Sequence, residues 1–173
     1  MIEEQSQITV TYDGNEDRLF LRLQLEGKEV RAWLTRRMTS NLFGIIEKLF
    51  AYLAGTKAQP EEQRQAVSQF RQDQALTKAN FSLPYKEQGA EPYFQDGPLL
   101  VTKVDFRPQK DGRVTIVLSG QQDDKNVAFT MNEEDLRAVM QLLIAAVKKG
   151  DWGLTVPASM SANAGTGQKP VVH

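Results

Sequence analysis

The sequence predicts an α+β fold made of two tandem β-β-β-α units, each an antiparallel meander with a covering helix, related by pseudo-twofold symmetry and separated by a helical insertion. Three observations lead there. Apolar residues alternate with a period of two in three consecutive short runs, and this happens twice. Each set of runs is followed by a stretch whose apolar residues recur at helical intervals. The two helical stretches carry those residues at matching positions.

In the first unit, residues 1–55, Ile8, Val10 and Tyr12 are followed by Leu19, Leu21, Leu23 and Leu25, and then by Val30, Ala32 and Leu34. Alternation of this kind marks strands with one buried face. Asp13-Gly14-Asn15 and Glu26-Gly27-Lys28 are short, polar and glycine-bearing, as hairpin turns require. Leu42, Ile45, Ile46, Leu49, Phe50 and Leu53 then form one helical stripe, with Thr39, Ser40 or Asn41 as candidate caps and Gly55 as the stop.

The second unit, residues 99–154, repeats the order. Val104 and Phe106, then Val114, Ile116 and Leu118, then Val127 and Phe129 read as strands. The helix that follows carries Leu136, Val139, Met140, Leu143, Ile144 and Val147, displaced by 94 positions from the first stripe, and stops at Gly150. Thr130 with Glu133, or Asn132 with Asp135, is suited to cap it. One unit of about 50 residues is marginal alone. Two units gain by joining sheets or by crossing helices over a shared core, and each sheet keeps one face for solvent or a partner.

Residues 56–98 connect the units. Pro60 with Glu61 and Glu62 opens a polar helix whose apolar stripe, Val67, Phe70 and Leu76, is thin, so it is expected at the surface. A loop with Tyr85, Tyr93 and Phe94 follows and is expected to pack down on the fold. The tail, residues 155–173, is rich in Ala, Ser and Gly and is expected to be mobile.

Composition narrows the chemistry. The 173 residues include 21 basic and 22 acidic side chains, a formal charge of −1, without the basic footprint of a duplex-DNA binder. There is no cysteine, and the one histidine is His173. Thiolate metal sites, cysteine nucleophiles and histidine bases within the body of the chain are thereby excluded. No glycine-rich phosphate loop is present. The carboxylate groups Asp13 to Asp17, Asp123-Asp124 and Glu133-Glu134-Asp135 read as turns and a helix start rather than metal ligands. The expectation is a protein that is not an enzyme and carries no cofactor or metal. The acidic N-terminal residues and the lack of a long apolar run point to a cytoplasmic protein with no membrane segment.

One surface stands out. On the strands that hold Leu21 and Ala32 inward, the outward positions are Phe20, Arg22 and Gln24, and Arg31, Trp33 and Thr35, with Arg37 just beyond. Aromatics beside arginines on neighbouring strands suit stacking and cation–π contact. Phe20, Arg22, Arg31, Trp33 and Arg37 are therefore the candidate binding residues. Cover by the inserted segment or the tail, or a dimer contact, is the first expectation for this face, and single-stranded nucleic acid, with bases on the rings and phosphates on the arginines, is the alternative; for the whole chain a protein partner or self-association through exposed sheet faces and the tail is expected. In the second unit the corresponding face, Lys103, Asp105, Arg113, Thr115, Val117 and Ala128, has no aromatic.

The order and spacing of elements over residues 7–55 and 99–150 resembles that of PUR-repeat and Whirly-type proteins. That resemblance implies single-stranded DNA or RNA binding on a curved sheet. Those families carry four strands per unit where three are read here. No motif carries their contacting residues over, so the candidate residues rest on the sheet face alone.

Overall fold

The computed structural model describes residues 7–55, 58–78, 90–122 and 124–160. Its fold is α+β, with two antiparallel meanders and three long helices. The first meander is β1 (Ile8–Asp13), β2 (Arg18–Leu25) and β3 (Lys28–Leu34). Tyr12 faces Leu19 across the first hairpin, and Leu25 faces Lys28 across the second. Glu26 and Gly27 both have positive φ, 50° and 76°, the backbone of a two-residue turn whose twist matches the strands it joins.

Helix α1 (Arg36–Leu53) begins a turn before the expected caps. Thr35 caps it, its side chain accepting from the Met38 N–H, and Thr39 lies inside the helix, buried, with its hydroxyl donating to the Thr35 carbonyl. The apolar stripe could not reveal this because Arg36 and Arg37, both exposed, fill the first turn. Gly55, at φ 67°, lies just past the end as anticipated.

The connecting segment departs from its reading. Helix α2 (Glu61–Lys78) buries Ser68, Gln72 and Ala75, while Phe70 is 62% exposed. Polar partners on the neighbouring helix, described below, turn the polar stripe inward. Two short strands follow, β4 (Glu91–Pro92) and β5 (Leu99–Leu100), both parallel to β3. The aromatic loop thus contributes to the first sheet, with Tyr93 and Phe94 packed against the core. Tyr85 lies outside the described residues.

The second meander is β6 (Lys103–Pro108), β7 (Val114–Ser119) and β8 (Asn126–Met131), followed by α3 (Glu133–Gly150). Asn132 caps α3 by accepting from the Asp135 N–H, and Thr130 instead shares a hydroxyl contact with Thr115. Gly150 is the last helical residue, and the left-handed stop is Asp151, φ 48°. The start of the tail is ordered: Ala158–Met160 forms a 3-10 turn in which Ser159 and Met160 are buried.

The buried apolar residues of both meanders and both flanking helices form one continuous core. Helix α3 runs close along β1 of the other sheet, and α1 reaches β6. A small cavity of 60 Å³ is lined by Leu21, Leu34 and Ile46 from one half and by Ile116, Phe129 and Met140 from the other. No helix among the described residues is long and apolar enough to cross a membrane.

Candidate functional site

Strand alternation places Phe20 and Arg22 of β2, and Arg31 and Trp33 of β3, on the face turned away from the core, because Leu19, Leu21, Leu23, Val30, Ala32 and Leu34 take the inner positions and are buried. The register makes Phe20 the direct neighbour of Trp33, and Arg22 the neighbour of Arg31. The two rings meet with centroids 4.6 Å apart and planes tilted by 45°. Both are half-buried.

β1 and β5 extend the rows. Thr11 lies opposite Phe20, and Leu100, 40% exposed, lies opposite Trp33. A strip Thr11, Phe20, Trp33, Leu100 therefore crosses the sheet, and Thr9, Arg22 and Arg31 form the next row.

The arginines are anchored by an acid that the sequence reading passed over. Glu29, two positions before Arg31 on the same face, is 3% exposed, with Pro92 beside it and the Tyr93 N–H donating to its carbonyl. Arg22 donates through Nε and Nη2 to the Glu29 carboxylate at 3.3 and 2.9 Å, and Arg31 donates to the same group through Nε. Two arginines thus converge on one carboxylate, and the Arg31 side chain is the more exposed of the two. Alternation alone put Glu29 on this face. Its burial follows from β4, which no pattern in the sequence announced. Arg37 lies apart, exposed in the first turn of α1.

The second feature missed from sequence is Arg137. It occupies a slot of the α3 stripe that periodicity would assign to an apolar residue, and it is fully buried. Its guanidinium lies 4.0 Å from the Phe50 ring centroid. Nε donates to Glu133 at 2.9 Å, and Nη1 donates to the Ser68 carbonyl, the Ser68 hydroxyl and Gln72 Oε1 at 3.1 to 3.2 Å. The Gln72 amide donates back to the Arg137 carbonyl, and the Ser68 hydroxyl donates to Ser159. Burial pulls the Arg137 pKa down, and the Glu133 carboxylate opposes that shift.

Among the described residues, no three His, Cys, Asp or Glu side chains converge as a metal site. Comparison with models of protein families, with curated proteins and with solved structures finds no match to this chain.

Proposed function

We propose that the chain is a non-enzymatic binding or assembly protein that engages a protein partner through the outer face of the first sheet. The carrying observation is the contiguous strip Phe20, Trp33 and Leu100, partly open to solvent, beside arginines already held in place by Glu29. Preset aromatic and guanidinium groups lose little freedom on binding, which is why such residues dominate interface energetics. The acid also supports a protein partner over a polyanion, because it cancels one of the two positive charges. The test is affinity capture of a partner by the wild-type protein and by Trp33→Ala and Phe20→Ala. A partner held equally by all three would place the binding surface elsewhere.

Single-stranded nucleic acid is the second reading, favoured by two adjacent aromatics on a sheet with Arg31 exposed beside them. Base stacking contributes about 1 to 3 kcal/mol per aromatic, so Trp33→Ala would weaken binding roughly ten- to a hundredfold. Titration of Trp33 fluorescence with a mixed-sequence oligonucleotide at two salt concentrations tests it. Trp152, buried and bonded to Asp17, serves as an internal reference. Absence of quenching at low salt removes this reading. Arg37, at the start of α1, is the outlying member of either surface.

The same proposal includes descent of the two halves from one β-β-β-α unit, with pseudo-twofold symmetry and a cytoplasmic setting. Supporting the duplication, the caps of α1 and α3, Thr35 and Asn132, stand 97 positions apart and bond their third residues alike. That displacement matches buried Thr39, Phe43, Ile46, Leu49 and Phe50 with buried Leu136, Met140, Leu143, Ala146 and Val147. The 94-position offset of the apolar letters lies three residues away, because a helical stripe nearly repeats at that step.

A further inference from the structure

Four strands have a side not taken by their own meander, and three of those sides are attended to. β3 carries β4 and β5. β1 has α3 alongside, with Tyr12 against Gly150 and Trp152. β6 ends in Pro108 and bears Lys103, Asp105 and Arg107, the charge and proline that commonly keep an edge from pairing. Among the described strands β8 pairs with β7 and with no other, and Asn126–Met131 contains neither charge nor proline.

The phase of the β7–β8 ladder shows which groups are left over. The Gly120 N–H donates to the Lys125 carbonyl at 2.8 Å, so in the antiparallel register Leu118 with Val127, Ile116 with Phe129 and Val114 with Met131 are the hydrogen-bonded pairs. The backbone N–H and C=O of Ala128 and Thr130 point the other way. Neither residue's backbone has a partner among the described residues.

We propose that β8 pairs antiparallel with β8 of a second copy of this chain, about a twofold axis through Phe129, giving a continuous six-stranded sheet. In that register Ala128 exchanges both backbone hydrogen bonds with the partner subunit's Thr130, and Thr130 does so with the partner subunit's Ala128. Half-buried Phe129 meets its own counterpart, and Val127 meets the partner subunit's Met131, so no like charges are brought together along the strand. The pairing is self-complementary and closes at two copies. It is independent of the outer-face reading of the first sheet.

Sedimentation velocity of the full chain across a wide concentration range tests the proposal. The expected result is a monomer–dimer equilibrium that Ala128→Pro weakens at least tenfold with an unchanged circular dichroism spectrum, since proline there removes only an outward N–H. Backbone amide exchange of the wild type gives a second readout that needs no variant. Exchange at Ala128 and Thr130 should slow as concentration rises. A chain monomeric throughout, a dimer indifferent to Ala128→Pro, or protection of these amides independent of concentration, as a segment of the same chain on this edge would give, overturns the proposal.

Discussion

Arg137 shows how much one residue can organise when a charge is buried, although its Nη2 has no hydrogen-bond partner among the described residues. It stacks on α1 through Phe50, hydrogen-bonds α2 through Ser68 and Gln72, and pairs with Glu133 on its own helix. Removing one member of a buried charged network costs about 3 to 5 kcal/mol, so Arg137→Ala should lower stability by that order in urea denaturation. Arg137→Met should cost less, because it keeps volume against Phe50 and leaves Glu133 its pair with Arg71. Arg137→Lys loses the planar fork that reaches four acceptors and should resemble the alanine variant more than the methionine one. A second residue, Asp17, closes a clasp between the β1–β2 turn and the end of α3. It accepts from the Trp152 indole at 2.7 Å and the Tyr12 hydroxyl at 2.9 Å, and these bonds, aided by Arg36, hold its carboxyl below the ordinary range. A lowered carboxylate pKa contributes stability above the unfolded value, and that contribution is lost as the pH falls through the folded one. The melting-temperature difference between wild type and Asp17→Asn should therefore be present at neutral pH and shrink on acidification through the carboxylate range. Asparagine is the suitable probe because Asp17 sits at φ 52°, which it tolerates.

At the scale of the element, the helices divide into those whose inner face the sequence declares and one whose inner face it conceals. Leu49 and Leu143 belong to the first kind and are 7% and 5% exposed. Truncation of either to alanine should cost about 2 to 5 kcal/mol by chemical denaturation, with an unchanged midpoint placing that position outside the core. Helix α2 is the second kind. Its attachment runs through Ser68, Gln72 and Ala75, with Arg71 on Glu133 and Lys78 on Glu134 at its flank. Phe70→Ser should leave stability within about 0.5 kcal/mol, because the ring is mostly in solvent. Alternation revealed all six meander strands because each turns an apolar face toward the core and a more polar one away from it. It could not reveal β4 and β5: two residues are too few for a period, and their pairing with β3 spans more than sixty positions of chain. The candidate face was legible in Phe20, Arg22, Arg31 and Trp33, which alternation alone aligns. Leu100 and the buried role of Glu29 depend on those two short strands and so were not.

For the whole molecule, the sequence pattern reached the α+β class and the order of the six meander strands and three helices, while the arrangement of the halves came only from the structure. The inner faces of both sheets drain into one core, and α1 and α3 each lie near a strand of the opposite half. A fragment ending at Pro98 should therefore lack a cooperative thermal transition and slow-exchanging amides in β1 and β2. A sharp transition in that fragment would show a self-sufficient half. The crossing of α3 onto β1 has a consequence in time as well. Ile8 to Tyr12 leave the ribosome early, whereas Leu136 to Val147, which complete their surroundings, are polymerised more than a hundred residues later. At about 5 to 20 residues per second that interval is on the order of 5 to 25 seconds, during which a nascent first meander carries an apolar flank with nothing yet made to lie against it.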